Sequence, residues 1–465
     1  QWERELDSHT AVYSRKVVWE DDEGNRTSLE FERFASFDDQ HLYCQKVVIT
    51  PINHSLPVRI ISGIDTAVKT GGQRITRTLY SQTDCSRILH LFEAKNKFGF
   101  KAGYVVLHRF PEGKLEKYEQ NGVCAISCFA EPCGRYVLEK FTRVLTSRDT
   151  GGDILEKLGE KIDEPKSYEE CKQRHIKQYT DYFYPMDIKI EGDDESDGYL
   201  RFANYHTAIS ACRSDGIHGV AAKGLTGERY NQFIWWDQEI YQLPFFYYTA
   251  PETARHMLEY RYNLLGQSMK NAKAEGRRGA RYAFCSSVTG EEKVWEYARH
   301  PFMQIHINSD VVYGFIRYYD STGDREFMKE YGMEVIYNCL LYFADRVSLK
   351  NGRCEILQVT GTDEHHPFVD NDAYTNYSVH YGFKRFLKLC DELEYQIPQA
   401  VREEFADILN NLYLPKLENG LIPQFDGYFE LNRELEVQGS GTHKNFQMKN
   451  TGLYHKSQII KQPDV

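Results

Sequence analysis

Over the first third of the chain, apolar and polar residues alternate in short runs. Among them are SLEFERF (28–34), CQKVVITPI (44–52), LPVRIISGI (56–64), AGYVVLHRF (102–110) and YVLEKFTRVL (136–145), separated by Gly, Asn, Asp and Pro. A period of two sends successive side chains to opposite faces, so these runs predict antiparallel strands forming a β-sandwich over residues 1–150. The charged residues follow the alternation and belong to its outer face.

Near Gly151 the period changes. Ser167 followed by Glu170 forms a capping-box pattern for a polar helix from Tyr168 to Phe183, which makes a helical linker of residues 151–195. The charge and glycine of EGDDESDG (191–198) mark a boundary. Beyond Tyr199 the spacing is helical. PETARHMLEYRYNLL starts with Pro251 in its first turn, and Thr249 with Glu252 suggests a second capping box. FMQIHINSDVVYGFIRYY stops near Gly323, DREFMKEYGMEVIYNCLLYFADRV follows at once, and DAYTNYSVHYGFKRFLKLCDEL and PQAVREEFADILNNLYL come later. Long helices in hairpin series, with no fixed repeat and with unequal loops, predict a closed α/α ring over residues 196–465 rather than a solenoid. Its loops would converge on one mouth.

A chain of 465 residues can bury a large core, and charges interrupt every apolar run before it reaches the length of a membrane span. The net charge of -11 disfavours nucleic acid and anionic membrane surfaces as partners and leaves a small polar molecule. Homodimerisation stays open. Cysteine numbers 11, scattered, and Cys124, Cys128 and Cys133 lack the spacing and histidines of a zinc site. Buried thiols in a reducing, cytoplasmic setting are the expectation. The sequons at Asn25, Asn53 and Asn376 are short enough to arise by chance. The chain opens on Gln1 and stops at Val465 just after a motif, which suggests a piece of a longer protein.

Two constellations carry chemistry. In GIHGVAAKGLTGERYNQFIWWDQEIYQLPFF, paired tryptophans precede Asp237 and Glu239. An indole face suits the C–H side of a sugar ring, and a carboxylate accepts from neighbouring hydroxyls. The competing reading makes Trp235 and Trp236 core residues with Asp237 as a helix cap. The second constellation is GTDEHHPFVDNDAYTNY (361–377), where Glu364 falls on a loop after an extended segment. Neighbouring acids and partial burial would help such a carboxyl keep a proton for a departing glycosidic oxygen. His365 and His366 are adjacent and diverge in most conformations, so no metal site is expected. Asp370 and Asp372 read as turn former and helix cap. At the C-terminus, Lys461 and Gln462 could donate to sugar hydroxyls, and ENGLIPQFDGYFEL before them reads as packing.

In order, GLTGERY…WWDQEIYQLPFF, HINSDVVY…TGD, GTDEHHPFVDNDAYTNY, IPQFDGYFEL and HKSQIIKQPDV resemble glycoside hydrolase family 65, the maltose, kojibiose, trehalose and nigerose phosphorylase family. The resemblance implies an N-terminal β-sandwich, a helical linker and an (α/α)6 barrel. It also implies inverting phosphorolysis of an α-glucoside to β-glucose 1-phosphate, with inorganic phosphate as co-substrate and no cofactor. Glu364 matches the family's general acid, and Trp236, Asp237, Lys461 and Gln462 match glucosyl-binding positions. His365 to Val369, with His365 and His366 at their head, fall in the loop that shapes the acceptor subsite. Phe284 and Cys285 stand where the family usually has Trp-Glu, and a thiol cannot replace a carboxylate as acceptor. Thr362 replaces a proline, Lys223 an arginine and Gln238 a threonine. The phosphate-binding segment is expected beyond Val465. Rival readings are an inverting α-glucosidase, a non-catalytic carbohydrate-binding protein, and a metal hydrolase using Asp363, His365 and His366.

Overall fold

Four of the five alternating runs, all but 56–64, join further strands in one eight-stranded antiparallel sheet. Its order is Trp2–Asp7, Val12–Glu20, Arg26–Ala35, Leu42–Pro51, Tyr136–Thr146, Lys101–Arg109, Arg87–Ala94 and Thr76–Thr83. The computed structural model describes residues 2–431 apart from 71, 85, 96–98, 111–115, 121–122, 128, 131–133, 151–152, 161–166, 228, 295–298 and 351. Phe141 lies opposite Cys44 on one neighbour and Leu107 on the other, so these three share a face. On that face Tyr168 and Cys171 pack against Phe34, Leu42, Cys44, Leu107 and Phe141, which seats the helix Tyr168–Phe183 on the sheet. The cap expected at Ser167 forms: its Oγ accepts from the Glu170 N–H at 3.2 Å. Val106, one residue from Leu107, points the other way and packs with Ile88 and Ile64. Ile64 belongs to a short strand, Ser62–Ile64, paired with Val123–Ser127.

The chain divides into two compact units, 1–205 and 206–465. EGDDESDG opens a helix, Asp194–Ala208, whose acidic first turn suits the positive end of the helix dipole.

The second unit is helical. Its central helix, His306–Thr322, is buried along most of its length and packs against Pro251–Asn263, Met333–Arg346 and Ala373–Leu393. Gly323 ends it in the left-handed conformation (φ 69°) that glycine adopts without a Cβ clash. The next segment runs from Arg325 through one π turn, Met328–Gly332, into Met333–Arg346. The capping box expected of Thr249 and Glu252 does not form. Thr249 instead closes the preceding helix, Leu243–Thr249, by donating to the Phe245 carbonyl at 2.6 Å, and Ala250 occupies the cap position.

The seven cysteines whose side chains are described are free thiols, six of them buried. The Asn376 sequon is fully buried, its amide donating to the Tyr413 carbonyl at 2.8 Å, which keeps a glycan off that position in the folded chain. Among the described residues no helix is long and apolar enough to cross a membrane.

Candidate active site

A backbone bridge closes the loop that carries Glu364. After the hairpin of Val347–Lys350 with Arg353–Ile356, Val359 and Val369 exchange two hydrogen bonds of 2.9 and 2.7 Å. The nine residues between them form a loop with a fixed neck. Thr360 donates its N–H to the Met303 carbonyl at 3.1 Å, which ties the start of the loop to the segment just before the central helix. Gly361 follows against the side chain of Asp372, where an added Cβ would stand 2.2 Å from Oδ2. Asp372 is buried and caps the helix Ala373–Leu393 by accepting from the Thr375 N–H at 2.8 Å and its hydroxyl at 2.7 Å. Burial pushes its carboxyl above the ordinary range, and the Thr375 hydrogen bonds act against that. The glycine of the motif is therefore steric. Gly361→Ala should lower stability by about 1–3 kcal/mol through this overpacking, read as a lower urea midpoint. Turnover should fall with it, because the neck and the cap position Glu364.

The acids of the loop divide their work. Asp363 accepts from the His365 N–H at 2.9 Å, from His366 Nδ1 at 2.7 Å and from Gln424 Nε2 at 3.0 Å. The His366 contact foremost holds its carboxyl well below the usual carboxylate range. The His366 ring is buried beside Phe425 and Tyr428, with centroids 5.3 and 6.3 Å away. His365 is exposed. The adjacent histidines diverge as their spacing predicts, and the IPQFDGYF stretch supplies the packing expected of it. Asp370 accepts from the Gln358 N–H at 3.0 Å, a turn role. Glu364 is exposed, so the partial burial expected of it is not found, and Asp363 is turned toward its own partners.

The tryptophan segment splits between core and site. Trp235 is buried, edge-to-face on Phe284 at 4.9 Å. Glu239 is fully buried in a two-pronged pair with Arg261, both contacts at 2.7 Å, and Arg261 also donates to the Trp235 carbonyl at 3.1 Å. That partner removes Glu239 from any sugar subsite. Gln238 accepts from the Val220 N–H at 2.8 Å and donates to Glu239 at 2.7 Å, stitching the glycine-rich loop to the same pair. Asp237 starts a π turn, Gln238–Gln242, without capping it. Burial raises its carboxyl, with Lys223 acting in the other direction. Upstream, Tyr230, Asn231 and Gln232 are all left-handed (φ 61°, 52° and 57°), an uncommon run for residues with side chains.

A hydrogen-bonded chain joins the two constellations. Gln304 Nε2 donates to Glu364 Oε1 at 2.9 Å, and Gln304 Oε1 lies 3.2 Å from His306 Nε2. His306 Nδ1 lies 2.7 Å from Asp310 Oδ2, and the Tyr374 hydroxyl donates to Asp310 Oδ1 at 2.7 Å. His306 and Asp310 are fully buried. The half-buried Trp236 ring meets His306 edge-on at 5.0 Å and Tyr374 at 6.0 Å. The proposed sugar platform and the proposed acid thus stand on one polar chain. Sequence reasoning missed Gln304, His306, Asp310 and Tyr374 as site residues. The signal that could have found two of them is the i, i+4 spacing of His306 and Asp310, which places both on one helix face.

Phe284 and Cys285 are buried, and burial pushes the Cys285 thiol up to about 12. What they offer is backbone: their N–H groups donate to the Glu292 carboxylate, each at 2.9 Å. Lys461 and Gln462 lie outside the described residues. Among the described residues, Cys212, Asp215 and His218 form one group able to hold a metal ion, with ligand atoms within 4.8 Å of one another. It shares no residue with the chain to Glu364.

An exposed carboxyl on a necked loop is thus linked through Gln304 to His306, against whose ring Trp236 packs, all within one helical unit. Residues 201–465 match the model of the glycosyl hydrolase family 65 central catalytic domain, and residues 1–182 match that family's N-terminal domain. The chain belongs to glycosyl hydrolase family 65. Among curated relatives, a 3-O-α-D-glucosyl-L-rhamnose phosphorylase from Lachnoclostridium phytofermentans is 47% identical over 479 residues, covering 100% of this chain and 63% of the relative. A kojibiose phosphorylase from Thermoanaerobacter brockii is 31% identical over 487 residues, covering 92% of this chain and 62% of its own length. A solved structure of a candidate kojibiose phosphorylase from the human microbiome superposes with a TM-score of 0.85 at 18% identity, over 99% of this chain and 63% of that one. The chain therefore spans less than two thirds of the length of each of these three.

Proposed function

We propose that the protein catalyses inverting phosphorolysis of an α-glucosidic disaccharide. The sugar ring rests against Trp236 with Asp237 accepting from its hydroxyls, joined by Lys461 and Gln462. Glu364 gives its proton to the glycosidic oxygen as the bond from that oxygen to the anomeric carbon breaks. A phosphate oxygen forms the new bond on the opposite face, yielding β-glucose 1-phosphate and the free acceptor sugar. Phosphate stands where an inverting hydrolase needs a base-activated water, so one protein carboxylic acid suffices and no cofactor is required. The exposed members of the loop, His365 and Phe368, face the acceptor. The same reading takes the sheet unit as a β-sandwich, the helical unit as an (α/α)6 barrel, and the free buried thiols as those of a cytoplasmic enzyme.

The observation that carries this reading is the chain from Glu364 through Gln304 to His306, against whose ring Trp236 packs. The substrate to try first is 3-O-α-D-glucosyl-L-rhamnose, the disaccharide in the name of the 47% identical relative. With the full-length protein, release of rhamnose should require inorganic phosphate and appear with an equal amount of β-glucose 1-phosphate. Free glucose formed at full rate without phosphate would identify an inverting α-glucosidase instead.

A further inference from the structure

The carboxamide of Gln304 lies between two groups that titrate. Its amide end points at Glu364 and its carbonyl end at His306 Nε2. In that arrangement Glu364 accepts, as a carboxylate does, and His306 must donate through Nε2. The other ring nitrogen faces Asp310, whose second oxygen already accepts from Tyr374, so Nδ1 donates as well. A ring that donates from both nitrogens is an imidazolium, here paired with a buried carboxylate.

The two ends of a carboxamide are almost the same size, so a half-turn of Gln304 preserves the packing. The turned amide presents its oxygen to Glu364, which must then donate as a carboxylic acid. Its NH2 then donates to the Nε2 lone pair of a neutral His306, while Nδ1–H stays on Asp310. Both arrangements satisfy every group and hold the same number of protons. They differ in whether the proton, exchanged through solvent, sits on Glu364 or on His306. A carboxylate at Glu364 with a neutral His306 would set the Gln304 oxygen against the ring lone pair.

We propose that Gln304 couples the proton on Glu364 to the charge on His306, with Asp310 and Tyr374 holding the ring. Gln304 is a positioning residue, and its role rests on the reading of Glu364 as the acid. Neutral His306 keeps Glu364 protonated and ready to donate. After the proton has left for the acceptor sugar, the mismatch at Gln304 favours its replacement before the next turnover. Among the described residues, the other titratable groups near the chain include Asp372, Asp363, His365 and His366, and Tyr241 and Tyr313 beside Tyr374. Asp372 is buried and held by Thr375, and Asp363 is held by His366 and Gln424.

The test is Gln304→Met in the full-length protein, which cuts the chain and keeps the side-chain length. With the disaccharide, the alkaline limb of the kcat/KM profile should move to lower pH by about one unit, roughly a tenfold loss on that limb. The direction follows because the mismatch that Gln304 imposes on a carboxylate Glu364 beside a neutral His306, which opposes loss of the shared proton, is now absent. α-Glucosyl fluoride, whose leaving group needs no proton, should lose no more than a few-fold. Asp310→Asn, which denies the ring its counter-charge, should move the same limb if Gln304→Met folds poorly. An unmoved limb, or equal losses on both substrates, would overturn the coupling. If the parent hydrolyses rather than phosphorolyses, the phosphorylase reading fails, yet the same pH comparison still decides the coupling. If the parent turns over neither substrate, the 15N NMR titration of His306 decides it: a titration unchanged by Gln304→Met overturns the proposal, and a shifted one supports it.

Discussion

Glu364→Gln should reduce turnover of an α-glucosidic disaccharide by on the order of 10²–10⁴-fold, the range by which a positioned general acid accelerates reactions. The substitution keeps shape and polarity and removes only the transferable proton. Because Glu364 is exposed and its side-chain hydrogen bond among the described residues is from Gln304 Nε2 at 2.9 Å, a bond glutamine can also accept, the variant should fold with unchanged stability. KM should shift little, since the proposed sugar contacts, Trp236 and Asp237, are left untouched. Turnover of α-glucosyl fluoride should survive best. Steady-state kinetics of parent and variant on both substrates check this. Background turnover in both proteins, with sugar binding intact, would instead indicate a non-catalytic carbohydrate-binding protein.

The largest stability effect is expected inside the fold. Glu239→Leu strands the Arg261 guanidinium, which has no exposure and makes both of its 2.7 Å charged contacts to that one carboxylate. Breaking such a pair from one side costs about 3–5 kcal/mol, because the remaining charge stays buried. Replacing both groups, as Glu239→Leu with Arg261→Met, should recover much of that loss. Urea midpoints followed by tryptophan fluorescence would show it. Equal midpoints for parent and single variant would mean that water reaches Arg261. The single variant should also impair sugar binding, since Arg261 holds the Trp235 carbonyl one residue before Trp236.

Much of the fold was legible because its determinants are local. Four of the five period-two runs entered the eight-stranded sheet, Ser167 formed its expected cap, and Gly323 ended a helix. Thr249 misled because a threonine that ends one helix has the same spacing to Glu252 as one that begins the next. At the site, Glu364 could be placed on its loop because it sits between an extended segment and a cap at Asp372. Its supporting chain could not, since Gln304 and Glu364 are 60 residues apart and Asp310 and Tyr374 are 64 apart. No local pattern encodes such pairings. The fate of Glu239 was hidden for the same reason: Arg261, 22 residues on, decides it.

The Val359–Val369 neck makes the loop a cassette. Its two ends are clamped and Thr360 anchors its first residue to Met303, so a change at the tip need not travel past the neck into the hairpin before it or the helix after it. Changing the length of a flexible loop costs little, about 0.6 kcal/mol per doubling. The tip around His365 and Phe368 can therefore vary in sequence and length while the clamped ends of the loop hold their place. In such a molecule the frame of the loop and its tip are separately adjustable parts.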